Sequence, residues 1–288
     1  MVEATSELSK PAPPVVRYRF WRRPDDSDPY SQGARNDIDR YDRIARDPRY
    51  SHFARIPGRI VRCLDYFQVR CDRTAAARIL SAYYIFIAVV DNALDSGDSQ
   101  TAAVVFSQLG LQPEHRTALS DVALTTENLK LQVSDEVSLT FRNQLTLLSE
   151  TVSEERLAIS LEAYLEVRKA VGRLTADLSY LLISPLFDAD ETLLRVFMQE
   201  VGAVGCLVDS VIDLSADHRR GLLSFSPGWR DYLKLALVAL RESVSIGAQH
   251  PRLTGVFLQA ILDNVRDRFI ATSPLIIDAR PMQPQAGR

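Results

Sequence analysis

The chain has few of the features that mark proteins that are secreted, span a membrane or are stabilised by a bound metal. Its three cysteines, Cys63, Cys71 and Cys206, are odd in number and lack metal-site spacing, so we expect reduced thiols in a cytoplasmic protein. The longest clean apolar run is the nine residues 82–90, which is too short to cross a bilayer, and we expect no transmembrane segment. The first residues lack the apolar core of a signal peptide, so export is not expected.

Charge and hydrophobic patterning narrow the fold class. The net charge is −3 and no long basic run occurs, so nucleic-acid binding is not expected. The charged fraction of 25% and the hydrophobic fraction of 46% are ordinary for a soluble globular protein. We find no long alternating β pattern, no internal repeat and no nucleotide-binding motif. A chain of 288 residues with helical periodicity therefore predicts one all-α domain with a large core.

Composition divides the chain into three parts. Residues 1–35 are rich in Pro, Ser, Asp and Arg, which predicts a flexible N-terminal arm. The aromatic residues of this arm leave open whether it packs on the body or closes over a cavity. Residues 36–272 carry the helical patterns and form the expected domain, and the proline-containing residues 273–288 are expected to be a flexible tail.

Local signals predict where several helices begin and end. Asp72 is a good N-cap for the long apolar helix that follows it, and Gly221 a good stop for the helix that contains residue 209. Pro57–Gly58 predicts a helix break. Ser153, followed by two glutamates, predicts the start of another helix.

Three aspartates, Asp209, Asp213 and Asp217, are spaced four apart in an otherwise apolar segment. On an α-helix this spacing places the carboxylates on one face, one turn apart. Like charges at this spacing destabilise a bare helix by a few tenths of a kcal/mol per pair. Carboxylates set into an apolar helix need a counter-charge, and the hard cation Mg²⁺ is a natural one.

A second acidic pair, Asp91 and Asp95, stands at the end of the apolar run 82–90. Two apolar helices that each carry acids one turn apart can hold Mg²⁺ ions between them, and such ions bind and polarise a diphosphate. For either pair alone the ordinary interpretation, a solvated helix end, is favoured. The two pairs together favour a metal site.

Three segments resemble motifs of the squalene and phytoene synthase family. Residues 84–95, YIFIAVVDNALD, resemble its first aspartate motif, and residues 207–225, which include the run DHRRG, resemble its second. Residues 164–172, which end in Val-Gly, are similar to its middle helix, where a glycine breaks the helix near the substrate cavity. The resemblance spans residues 70–270 in round figures and identifies the chain as an atypical member of the class I isoprenoid synthases.

This resemblance implies an isoprenoid-synthase helical bundle around a central apolar cavity. It implies an Mg²⁺-dependent enzyme that ionises an allylic prenyl diphosphate, with Asp91, Asp95, Asp213 and Asp217 as the catalytic metal-binding carboxylates. Asp209 replaces the asparagine usual at its position and still offers an oxygen ligand. Related helical synthases are often dimers, so a homodimer is possible.

The departures from the family concern diphosphate binding. Ala88 and Ile212 stand where the family usually has arginines, and Ala216 stands where it has an acid. The serine-rich phenylalanine motif has no convincing counterpart. These losses put head-to-head condensation of two chains in doubt and favour a terpene-cyclase-like enzyme. The alternatives are a head-to-head prenyl transferase and a non-catalytic interaction or assembly factor.

The remaining candidate residues keep two interpretations each. Arg219 and Arg220, which follow Asp217, can bind diphosphate or neutralise a helix C-terminus. The arginine of the middle helix can face the cavity or solvent, and the tyrosines can line the cavity or pack in the core. The expected substrate-binding residues are Tyr84, Tyr164, Arg168, Gly172, Arg219 and Arg220.

Overall fold

The computed structural model describes residues 31–95 and 121–272, with side chains for residues 37–94 and 121–263. Within these residues it contains helices and no strand, so the all-α prediction is confirmed. The tail at 273–288 and residues 1–30 of the expected arm lie outside the described residues. The helices are α1 (Ser31–Ala45), α2 (Ser51–Tyr66), α3 (Arg73–Asp95), α4 (Asp121–Lys130), α5 (Asp135–Glu155), α6 (Leu161–Ile183), α7 (Thr192–Arg219), α8 (Trp229–Gln249) and α9 (Thr254–Thr272).

The ends of α3 and α7 follow their local signals. The Asp72 carboxylate accepts hydrogen bonds from the backbone N–H groups of Thr74 (2.9 Å) and Ala75 (3.0 Å), as an N-cap does. Helix α7 ends at Arg219, and Gly221 follows with φ +72°, a left-handed conformation that glycine adopts without strain. Both predictions are therefore confirmed.

The predicted break at Pro57–Gly58 is wrong, because α2 runs through both residues. A proline inside a helix removes one backbone hydrogen bond and costs about 3 kcal/mol. Here Pro57 is buried, together with Ile60 and Leu64 on the same helix, and α2 packs along α3. Tertiary burial thus overrides the local signal.

The predicted helix start at Ser153 is also wrong. Helix α5 continues through this residue to Glu155, and α6 begins only at Leu161. Its N-cap is Ser160, whose side-chain oxygen accepts a hydrogen bond from the Ala163 N–H at 3.3 Å. The glutamates expected in a first turn therefore lie in the last turn of α5.

The central pair of the bundle is α6 packed along α7, with α5 on α6, α8 on α7, and α3 against α2, α4 and α6. The larger apolar core lies between α2, α3, α4, α5, α6 and α7. A smaller cluster joins the first half of α6 to the second half of α7 and to α8, through residues such as Leu161, Leu207 and Leu235. Helix α6 is continuous through Gly172, so the expected break there is absent.

Of the described helices, α3 alone is long and apolar enough to cross a membrane, over residues 73–94. Within its most apolar window, 67% of the residues are buried inside the protein. Core helices of soluble proteins meet the same criteria of length and composition. This helix is weak evidence for a span, and the expected absence of a transmembrane segment stays a prediction.

Candidate functional site

A cavity of about 300 Å³ lies among α2, α3, α6, α7, α8 and α9. Most of its wall is apolar. Among the described lining residues, the charged side chains are Arg59 and Asp209, and a histidine, His52, also lines the cavity. Three of the expected site residues, Tyr84, Gly172 and Asp209, line it. The apolar wall includes Phe53, Ile56, Phe197, Met198, Val201, Ile246, Val256, Phe257 and Ile261.

Asp209 is held at the cavity wall by Arg168. The two side chains form an ion pair with Nη2 of Arg168 at 3.5 Å from Oδ2 of Asp209. Arg168 also pairs with Glu155 of α5 (3.1 Å) and donates a hydrogen bond from Nε to the Ser210 hydroxyl (2.8 Å). Its side chain is 17% exposed, so it lies in neither of the two expected settings, a solvated face or the cavity lining.

Neighbouring carboxylates keep the Arg168 side chain positively charged. Burial acts to lower its pKa, but the negative charge of Glu155, with that of Asp209, outweighs burial and raises the pKa well above the ordinary value. Arg168 therefore remains a cation and ties together the end of α5, the first half of α6 and the acidic stretch of α7.

The two acidic segments approach one thiol, that of Cys206, which also lines the cavity. Burial raises the pKa of Cys206 to about 11, and the charge of Arg168 opposes this. Asp209 and Asp91, from α7 and α3, both add to the rise. Residues of both acidic segments therefore act electrostatically on the same thiol.

The expected metal site has five carboxylates. Asp209, Asp213 and Asp217 lie one turn apart on α7 and are each partly buried, whereas Asp91 on α3 is exposed. The side chain of Asp95 lies outside the described residues. Among the side chains that are described, no three from His, Cys, Asp or Glu are grouped closely enough to hold a metal ion. Within the described side chains, the acids of α3 and α7 are therefore present but do not form an assembled cluster.

The two expected tyrosines occupy different places. Tyr84 lines the cavity, and its hydroxyl is hydrogen-bonded to the Ser179 hydroxyl at 2.9 Å. Tyr164 is fully buried in the smaller apolar cluster, with its ring 5.9 Å from that of Phe225, and is not among the lining residues. Burial raises the pKa of each hydroxyl to about 12, so both rings are neutral at physiological pH.

Arg219 and Arg220 stand at the C-terminal end of α7, and both are exposed. Arg219 donates a hydrogen bond to the Ser215 hydroxyl at 2.7 Å, and the backbone N–H of Arg220 caps the Ala216 carbonyl at 3.0 Å. Neither residue lines the cavity. Their placement matches the interpretation as cations at a helix C-terminus.

Several residues of the site carried no sequence signal. Glu155 becomes a partner of Arg168 only through the docking of α5 on α6. Arg59 lines the cavity from α2 and pairs with Asp263 of α9 at 3.0 Å, across two hundred residues of sequence. Such contacts depend on helix packing, which local patterns do not encode.

Comparison with known proteins found no family model, no curated protein and no solved structure that matches this chain.

Proposed function

We propose that this protein is an Mg²⁺-dependent class I isoprenoid synthase, a helical bundle around an apolar cavity, that ionises one allylic prenyl diphosphate and converts the carbocation to a terpene. One observation carries the proposal. Tyr84, Gly172 and Asp209, expected from three segments far apart in sequence, line the same cavity. A purely structural bundle with incidental acids gives no reason for this convergence.

The cavity suits the apolar part of such a substrate. A carbocation survives only where water is excluded, and a mostly apolar wall provides this. The aromatic rings of Phe53, Phe197 and Phe257 in the wall supply faces that attract cations. The volume of about 300 Å³ lies at the lower end of the roughly 300–1,000 Å³ usual for small-molecule sites. This favours one prenyl chain over the two that head-to-head condensation requires.

The donor set fits Mg²⁺ in chemical type, because carboxylate oxygens are its preferred protein ligands. The carboxylates that would hold the metal are those of Asp91, Asp95, Asp209, Asp213 and Asp217. When bound, the metal supplies positive charge that neutralises the departing diphosphate. Arg168 keeps Asp209 at the cavity wall through their ion pair. A metal that used Asp209 as a ligand would have to compete with that guanidinium.

A non-catalytic role in binding an apolar ligand or partner is the second candidate. It is favoured by the pairing of Asp209 with Arg168, which satisfies the carboxylate without a metal. The lack of a three-ligand group among the described side chains points the same way. This role shares the cavity with the enzyme hypothesis and differs in predicting no chemistry.

The test is incubation of the purified protein with C10, C15 and C20 prenyl diphosphates, with Mg²⁺ or with EDTA, followed by gas chromatography–mass spectrometry. A metal-dependent product with the carbon number of its substrate is expected. Asp91→Asn and Asp213→Asn should abolish it, whereas Asp188→Asn, at an exposed acid outside the cavity lining, should not.

Two other outcomes decide between the alternatives. A product of doubled carbon number would establish head-to-head condensation despite Ala88 and Ile212. No diphosphate release from any substrate, with a thermal shift by prenyl alcohols that does not depend on Mg²⁺, would favour the non-catalytic role.

A further inference from the structure

Helix α8 carries a second apolar face opposite its core face. Its buried residues, Leu235, Ala239 and Ile246, face the bundle. Five large apolar side chains, each 52–71% exposed, recur at spacings of three and four along the other side. At about 100° per residue they fall within an arc of about 80°. These residues, the α8 stripe, are Trp229, Leu233, Leu237, Leu240 and Val244.

No other helix covers the α8 stripe within the part of the chain that is described. A shallow groove beside it is lined by residues of α8 alone. Single exposed apolar residues are ordinary on protein surfaces, whereas these five, including a tryptophan, form one continuous apolar strip.

The charged residues of α8 are segregated around the stripe. On a helical wheel, Arg230, Lys234 and Arg241 all flank one edge of it, whereas Asp231 and Glu242 lie on the half of the helix toward the core. Lys234 is paired with a glutamate of α6, and the Arg230 guanidinium stacks 5.5 Å from the Trp229 ring centroid. The outward half of α8 is therefore apolar and basic, with no acid.

This charge pattern and the size of the stripe argue against a second copy of the chain as its partner. A strip about 22 Å long and about 10 Å wide offers roughly 220 Å², far below the ~800 Å² per partner of a stable interface. In an antiparallel pairing of two α8 helices, the basic edge of one would also meet the basic edge of the other, which is repulsive.

We propose that α8 lies on the surface of a bilayer that contains anionic lipids, with the α8 stripe among the upper acyl chains and Arg230 and Arg241 at the phosphates. An apolar face with tryptophan at one end and a basic flank is the pattern of interfacial helices. Ser243 and Ile246 of the same helix line the cavity, so the membrane surface would lie next to one cavity wall. The proposal does not depend on the proposed reaction.

The test is flotation of the full-length protein with vesicles of phosphatidylcholine, with or without phosphatidylglycerol. We expect binding that is stronger on anionic vesicles and weakens with salt. Leu237→Gln with Leu240→Gln should lower the partition coefficient at least about tenfold, because two inserted side chains lose apolar contact. Arg230→Gln with Arg241→Gln should lower binding to anionic vesicles and leave binding to neutral ones.

The matched control is Leu139→Gln with Leu193→Gln, which removes two leucines of α5 and α7 that are even more exposed (71% and 77%) than Leu237 and Leu240 (56% and 60%). Its vesicle binding should equal that of the unaltered protein. In a Trp21→Phe background, Trp229 is the only tryptophan, and its emission should shift to the blue when vesicles are added.

Three results would overturn the proposal. The first is no vesicle binding by the full-length protein. The second is equal loss of binding in the control. The third is a concentration-dependent dimer, seen by light scattering, that Leu237→Gln with Leu240→Gln abolishes; this would assign the stripe to a second copy.

Discussion

The backbones of Gly172 on α6 and Gly202 on α7 are in direct contact. A Cβ atom on Gly172 would lie 2.8 Å from the Ala203 Cα and would overlap the Gly202 carbonyl, and one on Gly202 would lie 2.7 Å from the Ala176 Cβ. Because neither residue has a side chain, the backbone of each helix occupies the space that a Cβ atom on the other glycine would fill. The contact brings α6 and α7 together where both line the cavity.

We expect Gly172→Ala to destabilise the protein by about 1–3 kcal/mol or more, because backbone atoms cannot yield as a flexible side chain can. The free energy of unfolding, measured by urea denaturation, checks this. Gly205→Ala on α7 is the matched control, since a Cβ there meets nothing within 4 Å. It should be neutral or stabilising by up to about 1 kcal/mol, from helix propensity. Equal effects of the two changes would contradict close packing at Gly172.

Sequence signals predicted the fold where the determinants were local. The Asp72 cap and the glycine stop after α7 act within one helical turn, and both hold. Pro57 and Ser153 mislead because their local signals are overridden by burial of α2 against α3 and by continuation of α5. Helix existence follows from periodicity, whereas these boundaries depend on tertiary packing.

For the candidate site, too, local sequence signals point to single residues but not to the contacts between helices. Of the residues that the motif resemblance puts forward, Asp209, Tyr84 and Gly172 line one cavity. Tyr164 resides in a separate cluster, and Gly172 brings helices together instead of breaking one. The Glu155–Arg168–Asp209 network arises from three helices and has no counterpart in local spacing.

Removing the central cation of that network should be costly. We expect Arg168→Met to lower the free energy of unfolding by about 3 kcal/mol, because it removes the cation that pairs with the two partly buried carboxylates of Glu155 and Asp209. Combined with Glu155→Leu, the loss should be smaller than the sum of the two single losses, which a double-mutant cycle measures. Strict additivity would mean that the two side chains do not interact. Lys169→Met with Glu166→Leu, a neighbouring pair on α6 whose glutamate is exposed, is the control and should show little coupling.

Asp177 should give stability a specific dependence on pH. Burial acts to raise its pKa, but hydrogen bonds from Arg195 (2.6 and 2.8 Å), Gln199 (2.8 Å) and Gln144 (3.0 Å) outweigh burial and lower it. Since the folded-state pKa lies below the unfolded one, this contribution is complete above the unfolded value and is lost as pH falls through the folded value. The stability difference between the unaltered protein and Asp177→Asn should therefore be constant near neutral pH and shrink below about pH 4.

Urea denaturation of both proteins between neutral and acidic pH measures this difference. Asp188→Asn, at an exposed aspartate, serves as the control and should show little difference at any pH. A difference for Asp177→Asn that does not change with pH would contradict the lowered pKa.

Filling the cavity should exclude its ligand. Ala260 of α9 lines the wall, and Ala260→Phe adds a ring that occupies much of the space. We expect the affinity for a C15 prenyl alcohol, measured by thermal shift, to fall at least about tenfold, because the apolar chain loses its contacts. Gln259→Phe, at the exposed neighbouring position, should leave binding unchanged. Unaltered affinity in Ala260→Phe would mean that the ligand binds elsewhere.

The reactivity of Cys63 and Cys206 should report on the cavity, with Cys71 as the reference thiol outside it. Burial raises the pKa of both Cys63 and Cys206 to about 11, and both line the cavity, whereas Cys71 is half-buried outside it. Because the thiolate is the reactive form, a thiol with a pKa near 11 should be alkylated at pH 8 about a hundredfold more slowly than a free cysteine. Mass spectrometry of iodoacetamide-treated native protein should therefore find Cys71 modified first. In urea all three should react at similar rates. Rapid native modification of Cys206 would show that the cavity admits water freely, and a cavity that does so would not protect a carbocation.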